Sequence, residues 1–297
     1  MATIIDGKAT ARQIRDELKQ EVDVLAGQGV VPGLAAVLVG DDPASAIYVR
    51  NKARACEKAG IYSEVIRLPA QTTEAQLLDL VVELNDRADI HGILVQSPVP
   101  EDVDEFKVNI TVSREKDVDG FHPDNVGRAL LGTPGFVPCT PAGVMELLRR
   151  YDIDTSGAEV VIAGRGNIVG KPLMALLIQK AAGANATVTL CHSRTRDLAD
   201  HCRRADIIVA AMGQPELITG DMVRVGAVVI DVGINRIDDP NTEKGYRVTG
   251  DVHYPSVAPK CRAITPVPGG VGPMTIAMLL ENTWEAMTSR EGLNGSV

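Results

Sequence analysis

Aromatic residues are scarce in this sequence of 297 residues: they make up 3% of it, and it contains one tryptophan. Cysteine is also sparse, with five dispersed residues and no CxxC pair, which excludes a disulfide framework and argues against structural zinc. Dispersed cysteines are typical of a reducing cytosol, so we predict a cytoplasmic protein without a bound metal. Apolar residues still make up 45% of the chain, and its length predicts one large or two ordinary domains.

Positive charge is in short supply, and it is not clustered. The chain has 30 Lys and Arg against 39 Asp and Glu, so it lacks the basic face that a nucleic-acid binder needs. Its longest uncharged stretch, Ala263 to Leu280, contains three prolines and three glycines and cannot form a membrane-spanning helix. Near the start, Asp6 interrupts any apolar signal segment. These features predict a small-molecule ligand, with no nucleic-acid partner and no membrane association.

Short β-branched runs alternate with amphipathic helical patterns, which is typical of βαβ units and a parallel sheet. The alternation occurs twice, on either side of a Pro/Gly-rich passage at residues 132–141. We predict an α/β fold with two domains: residues 1–140 with a returning C-terminal segment at 275–297, and a Rossmann-like domain at 141–274. The predicted helices are 11–26, 44–59, 73–87, one of about ten residues that ends at Arg150 or Tyr151, 172–182, 198–204 and 275–287; the predicted strands are 34–39, 62–68, 92–96, 160–163, 187–191, 207–210 and 228–231.

A glycine-rich loop follows the first strand of the second half. Gly164, Gly166 and Gly170 form the pattern G-x-G-x-x-x-G, and Pro172 opens the next helix. Glycines allow a tight turn and close backbone approach, and the free N–H groups at the helix start bind a pyrophosphate. The spacing is one residue longer than the usual dinucleotide motif, so a simple strand-to-helix turn is the alternative. The flanking strand and proline favour a nucleotide site.

The end of the next strand indicates which nucleotide is bound. Enzymes that use NAD usually place a carboxylate here on the ribose 2′-OH, but this chain has Ser193, Arg194 and Arg196 before its first acid, Asp197. A hydroxyl beside cations suits the 2′-phosphate of NADP, and Arg165 in the loop is a further candidate ligand. We predict NADP; the alternative is that the arginines lie in a solvated turn.

A lysine interrupts the apolar stripe of the predicted helix 44–59. Lys52 shares one face of that helix with alanines, a cysteine and Tyr48, which lies one turn earlier. A lysine held in such a place can act as a proton donor or acceptor. The alternatives are that its stem covers the stripe while the ammonium reaches solvent, and that Tyr48 only packs in the core.

Polar residues near the carboxyl ends of strands are further candidates. Gln96 ends the strand at 92–96, and ligands of parallel sheets bind outside such ends. Asp117 and Asp119 lie in a polar loop, where turn formation and helix capping are the alternative roles. Composition does not separate the two aspartates.

Seven collinear motifs are similar to those of one family. They are YVRNK from Tyr48, GILVQSP from Gly92, KDVDGFHP from Lys116, PCTPAG from Pro138, GRGNIVGKP from Gly164, DVGIN from Asp231 and TPVPGGVGPMT from Thr265. Together they span nearly the whole chain, which resembles the bifunctional methylenetetrahydrofolate dehydrogenase/cyclohydrolases of the FolD type. The resemblance implies a two-domain α/β homodimer, with a folate-binding catalytic domain, an NADP-binding domain, and a cleft between them.

The resemblance also implies roles for individual residues. Lys52 is the expected catalytic lysine, Gln96 its partner, Tyr48 a packing surface for the folate aminobenzoyl ring, and Asp119 the ligand of the pterin. Positions expected to bind the cofactor are Gly164, Arg165, Gly166, Ser193 and Ile234, and Gly272 and Pro273 are expected in the wall of the folate site. Two positions depart from the family: Gly166 replaces a frequent serine, and Ser97 a usual leucine.

The implied chemistry is the oxidation of 5,10-methylenetetrahydrofolate with NADP, followed by hydrolysis of the methenyl product to 10-formyltetrahydrofolate. Tetrahydrofolate one-carbon derivatives are therefore the expected substrates. Hydride transfer depends mainly on positioning, whereas hydrolysis requires proton transfer, which Lys52 can supply. Two alternatives remain from the residues alone: an NADP-dependent dehydrogenase of another small substrate, and a catalytically silent nucleotide-binding regulator.

Overall fold

The computed structural model describes residues 2–240, 242 and 245–293. The chain divides into two compact units. Unit 1 comprises Met1–Ala11, Ala129–Thr133 and Thr140–Thr275, and unit 2 comprises Arg12–Arg128, Pro134–Cys139 and Ile276–Val297. Residues 294–297 of the predicted C-terminal segment lie outside the described residues.

The elements alternate along the chain as the sequence predicts. The strands are β1 Thr3–Ile4, β2 Gly33–Val39, β3 Tyr62–Leu68, β4 Gly92–Val95, β5 Glu159–Ala163, β6 Thr187–Cys191, β7 Ile207–Ala210, β8 Val228–Asp231, β9 Asn235–Asp238, β10 Tyr246–Thr249 and β11 Ala263–Ile264. The α-helices are α1 Gly7–Ala26, α2 Pro43–Ala59, α3 Glu74–Asp86, α4 Glu105–Thr111, α5 Pro123–Leu131, α6 Cys139–Arg150, α7 Gly170–Leu177, α8 Leu198–Arg204, α9 Tyr254–Val257 and α10 Val271–Arg290. Short 3-10 turns occur at Arg114–Lys116, Gly220–Met222 and Ala258–Lys260.

Unit 2 contains a parallel sheet of three strands in the order β3-β2-β4. The central strand, β2, is buried along its whole length, as expected for a parallel strand covered on both faces. Helix α2 begins sharply because Pro43 occupies its first turn and the Asp42 carboxylate accepts a hydrogen bond from the Ser45 N–H at 2.7 Å. It ends at Gly60, which adopts the left-handed conformation with a φ of 77°. These caps set the register of the face that carries Tyr48 and Lys52.

Unit 1 contains a sheet of six parallel strands in the order β1-β11-β8-β7-β5-β6. From β5 the chain crosses to β6 on one side and then to β7 on the other, so the strand order reverses between β5 and β7. Open α/β sheets bind ligands outside the carboxyl ends of strands at such a switch point. The loop that begins at Gly164 directly follows β5 and therefore lies there.

The sequence predicted β3, β6, β7, β8 and α8 with their observed bounds. The short elements β1, β11, α4 and α5 and the antiparallel hairpin β9-β10 were not predicted; β1 and β11 have only two residues each, too few to show a period. The last helix begins at Val271, four residues earlier than expected, since Pro273 is tolerated in a first turn. No helix in the described part of the chain combines the length and apolar character needed to cross a membrane.

Candidate functional site

Lys52 is held inside unit 2 by two other predicted site residues. Its side chain is 4% exposed. The Lys52 Nζ donates a hydrogen bond to the Gln96 Oε1 at 3.1 Å, and it lies 4.5 Å from the centroid of the Tyr48 ring. The ammonium is thus fixed by a polar acceptor and a cation–π contact. This geometry does not fit the alternative in which the ammonium reaches solvent.

Gln96 is itself oriented by the end of β4. Its backbone N–H donates to the Val37 carbonyl of β2 at 2.8 Å, which continues the parallel ladder by one residue. Its side-chain Nε2 donates to the Ser97 carbonyl at 2.8 Å, so its Oε1 faces Lys52. The hydroxyl of Ser97, where the family usually has leucine, donates to the Glu105 carboxylate. The serine therefore adds a polar contact beside the glutamine.

The structure separates the two aspartates that composition could not distinguish. Asp117 is buried, and its carboxylate accepts hydrogen bonds from two backbone N–H groups and from the Asn125 Nδ2, so it organises the loop. Burial raises the pKa of Asp117 to about 6. Asp119 is half-buried and lies 3.7 Å, Oδ1 to Sγ, from Cys139. Asp119 is therefore the aspartate with a carboxylate available to a ligand.

Cys139 is a residue near the site that sequence reasoning missed. Burial is the main cause that raises the pKa of its thiol well above the usual range, and the charge of Asp119 raises it further while Lys52 opposes the shift. The thiol thus stays protonated, and its one proton has two acceptors in reach, the Val118 carbonyl at 3.4 Å and the Asp119 carboxylate at 3.7 Å. Its place in the PCTPAG motif was the signal that could have identified it.

The glycine loop of unit 1 depends on two of its three glycines. Gly164 has a φ of 128°, and a Cβ on it would collide with the carbonyl of Ala211. A Cβ on Gly170 would collide with the carbonyl of Gly164. Gly166 faces open space, with nothing within 4 Å of an added Cβ. The loop therefore brings the start of α7 against the end of β5, which forms a cradle for a pyrophosphate.

The predicted cationic positions around this loop are open to solvent. Arg165, Ser193, Arg194 and Arg196 are exposed, and none of these three arginines forms an ion pair with a described residue. His192 instead holds the turn after β6, because its Nδ1 accepts the N–H of Arg194 at 3.1 Å. The arginines are thus available for a phosphate, as the residues of an NADP site must be.

Ile234 and Gly272, both of unit 1, lie next to each other. The Ile234 side chain is 68% exposed, and its Cδ1 lies 3.4 Å from the position of an added Cβ on Gly272. Pro273 follows in the first turn of α10. An exposed isoleucine beside a glycine offers a flat apolar surface that suits an aromatic or heterocyclic ring.

Two buried aspartates, which the sequence analysis did not single out, support this region. Asp251 accepts hydrogen bonds from the backbone N–H groups of residues 212–214 and from the Asn235 Nδ2. Asp231 accepts three further backbone N–H groups, from Gly233, Asp251 and Val252. Burial raises the pKa of Asp231 to about 6. These carboxylates fix the segments that follow β7 and β8.

No cluster of three or more His, Cys, Asp or Glu side chains in the described residues is arranged to hold a metal. The functional groups that unit 2 brings together are the Lys52 amine, the Gln96 amide and the Tyr48 ring, with the Asp119 carboxylate in the same unit. With a glycine cradle at the switch point of unit 1, these groups define a nucleotide-dependent α/β enzyme with a buried lysine.

Comparisons with known proteins identify the family. Residues 5–119 match the family model "Tetrahydrofolate dehydrogenase/cyclohydrolase, catalytic domain", and residues 138–291 match "Tetrahydrofolate dehydrogenase/cyclohydrolase, NAD(P)-binding domain". The chain is 58% identical over 285 residues to the bifunctional protein FolD of Moorella thermoacetica, covering 96% of this chain and 98% of that protein. The chain belongs to the tetrahydrofolate dehydrogenase/cyclohydrolase family.

Solved structures agree with this assignment. The bifunctional FolD enzyme of Campylobacter jejuni matches with a TM-score of 0.93 and 47% identity, covering 98% of this chain and 100% of that one. The Trypanosoma brucei FolD, crystallised with NADP cofactor and an inhibitor, matches with a TM-score of 0.91 and 41% identity, covering 98% of each chain. The predicted family, two-domain α/β fold class, bifunctional enzyme class and nicotinamide cofactor are confirmed.

Proposed function

We propose that both reactions of this family take place at the site that contains Lys52. In the first, 5,10-methylenetetrahydrofolate is oxidised with NADP; in the second, the methenyl product is hydrolysed to 10-formyltetrahydrofolate. The observation that carries this proposal is the arrangement of the Lys52 Nζ between the Gln96 amide and the Tyr48 ring. NADP supplies the hydride acceptor for the first reaction. The side chains of unit 2 bind the folate and move the protons of the second.

Lys52 acts as the proton-transfer group of hydrolysis in this proposal. Attack of water on the methenyl carbon releases a proton, and opening of the ring requires one at a folate nitrogen. An amine held within reach of both positions can perform this transfer, which typically contributes 10² to 10⁴-fold to a rate. Gln96 is a positioning residue, because its carbonyl oxygen holds the Nζ while its own amide is fixed by Ser97.

Tyr48 and Asp119 bind the substrate. The Tyr48 ring is half-buried one turn before Lys52, and stacks on the aminobenzoyl ring. The Asp119 carboxylate accepts hydrogen bonds from the N–H groups of the pterin edge, while Cys139 steadies the carboxylate. Gly272 and Pro273 of unit 1, which the family resemblance assigns to the folate, stay a prediction.

The cofactor is bound by Gly164, Arg165, Gly166, Ser193 and Ile234. The backbone at Gly164 and Gly166 receives the pyrophosphate, Arg165 and Ser193 receive the 2′-phosphate of NADP, and Ile234 packs on the nicotinamide side. The exposed arginines without carboxylate partners among the described residues support NADP over NAD. The Trypanosoma brucei structure with NADP supports the same choice.

We further propose a cytoplasmic homodimer. All five cysteines are free and buried, which suits a reducing compartment. Phe106 and Ile110 lie one turn apart on α4 and are 60% and 43% exposed, so they offer an apolar contact to a second copy. Sedimentation equilibrium of the purified chain tests the dimer; a single monomeric species at micromolar concentration would contradict it.

One experiment tests the activity directly. The purified chain is mixed with 5,10-methylenetetrahydrofolate and NADP, and the absorbances of NADPH and of methenyltetrahydrofolate are followed together. We expect NADPH to form while the methenyl signal rises and then falls. If NADPH forms but the methenyl compound is not consumed, the chain is a dehydrogenase without cyclohydrolase activity. If the cofactor binds but neither absorbance changes, the chain is a catalytically silent nucleotide-binding protein.

A further inference from the structure

Unit 2 has a cavity that shares no residue with the folate site proposed above. It has a volume of about 450 Å³, and its lining comes from the end of α3, the start of β4, the turn Arg114–Lys116, α5, residues 134–136 and the last turns of α10. His91 lines it at the amino end of β4, whereas Gln96 follows the carboxyl end. Five residues of extended chain separate them by about 16 Å.

Two cations line this cavity without a carboxylate partner in the described part of the chain. Lys116 is 7% exposed, and its Nζ donates to the carbonyls of Leu84 and Arg87 at 3.0 and 2.6 Å. Arg290 donates from Nη1 to the Ala88 carbonyl at 3.2 Å. Neither forms an ion pair, whereas the lining arginine Arg114 pairs with Glu115 at 2.5 Å. The cavity thus holds two cations that are not in direct contact with a carboxylate of the described residues.

The pKa values of the groups that line the cavity fit the absence of ion pairs from Lys116 and Arg290 to the described residues. Burial, reinforced by the charge of Arg290, lowers the pKa of Lys116 to about 8. Burial also raises the pKa of Glu285, a lining carboxyl, which disfavours its negative charge, whereas the charges of Asp86 and Asp89 partly oppose the shift at Lys116. An anion in the cavity would relieve the repulsion between Lys116 and Arg290.

His91 adds a neutral donor. It is 6% exposed, and its Nδ1 accepts the N–H of Gly33 at 3.0 Å. Burial, with the charge of Arg290, lowers the pKa of His91, which keeps the ring neutral with its proton on Nε2. No acceptor for that Nε2 proton is found among the described residues. The Nε2 proton is thus available to an acceptor that enters the cavity.

We propose that this cavity binds a small organic anion, with a carboxylate or phosphate group held by Lys116, Arg290 and the Nε2 proton of His91. Phe136 and Ala286 line the same cavity and offer apolar contact to the rest of the ligand. The volume falls within the range of small-molecule sites. The inference rests on the geometry of unit 2 alone and does not depend on the folate reactions.

The test uses the single tryptophan of the chain, Trp284, which directly precedes Glu285 of the cavity lining. Its fluorescence is followed while inorganic phosphate or citrate is added at constant ionic strength, with NADP saturating so that the cofactor site is filled. Phosphate and citrate distinguish a phosphate-bearing ligand from a carboxylate-bearing one. We expect a saturable change with at least one of them.

Two variants locate the signal. Arg290→Gln removes one cation from an exposed position in the last turn of α10 and should weaken anion affinity about tenfold, the effect of one charge-assisted hydrogen bond. Arg12→Gln, at an exposed position of α1 outside the cavity lining, is the matched control and should bind as the parent does. The absence of a saturable change with either anion, or equal loss in both variants, would overturn the proposal.

Discussion

The lysine cluster of unit 2 and the glycine loop of unit 1 are built by opposite means. Around Lys52 the structure uses side chains: the amine of a residue that is 4% exposed, an amide oxygen that accepts its hydrogen bond, and an aromatic ring 4.5 Å away. Around Gly164 it uses the backbone, because the absence of side chains on the glycines lets β5 and α7 lie close together. The polar side chains near the loop are exposed. Proton transfer requires one atom at a fixed place, whereas a pyrophosphate is bound by several backbone N–H groups at once.

This difference predicts how each region responds to substitution. In the lysine cluster a change of one functional group should abolish a step while the fold survives. In the loop, a change at a packed glycine should disturb the fold itself, and a change at an exposed position should affect only the affinity for the cofactor. The four predictions below test that contrast.

The largest effect is expected for Lys52→Met. Methionine keeps the bulk of the lysine side chain on the buried face of α2 but removes the amine. Cyclohydrolase activity should therefore fall by about 10² or more. Dehydrogenase activity should survive better, because hydride transfer depends mainly on alignment, and methenyltetrahydrofolate should accumulate. Both steps are measured on one preparation that circular dichroism shows to be folded.

Lys58→Met is the control for this variant, since Lys58 is an exposed lysine of the same helix. It should retain both activities. Full cyclohydrolase activity in the Lys52 variant would remove the amine from the mechanism and break the contrast between the two regions.

Asp119→Ala should lower kcat/KM by on the order of a hundredfold, because the proposed binding mode gives this carboxylate charge-assisted hydrogen bonds to the pterin. Both activities should fall together, since they share the substrate site. Asp79→Ala, at an exposed position of α3, provides a control. Unchanged folate kinetics with a lower Tm would make Asp119 a turn residue like Asp117.

Gly164→Ala should cost about 2–3 kcal/mol in the free energy of unfolding, because its φ of 128° and the close Ala211 carbonyl both oppose a Cβ. Gly166→Ser, two residues later, meets open space and should change stability by less than about 0.5 kcal/mol. Urea unfolding of both variants measures the difference. Equal costs would show that the loop is not held by close packing at Gly164.

The smallest effect is expected for Arg165→Ala. Loss of one exposed charge-assisted contact should raise the KM for NADP about tenfold and leave stability unchanged. The KM for NAD should change much less, because NAD lacks the 2′-phosphate. Initial rates with each cofactor measure the ratio; equal losses for both would argue against Arg165 as a 2′-phosphate ligand.

Some features could be predicted from local sequence because their causes are local. The spacing of Gly164 and Gly170 after a β-branched run predicts a strand-to-helix loop. In the structure the absence of a Cβ avoids a clash with Ala211, directly after β7, at Gly164 and a clash within the loop at Gly170. Strands such as β7 and β8 were predicted with their observed bounds because a buried parallel strand is a nearly continuous apolar run. The seven collinear motifs likewise indicate the family by themselves, without the tertiary structure.

Other features were decided by tertiary structure alone. Whether the Lys52 ammonium reached solvent depended on Gln96, which is distant in sequence and meets it because β4 pairs with β2 beside α2. Asp117 and Asp119 differ in role because backbone donors from residues 121 and 122 surround only the first. The strand β1 pairs with β11 across most of the chain length. Sequence periodicity reports which face of an element is buried, but it carries no record of which distant atoms meet there.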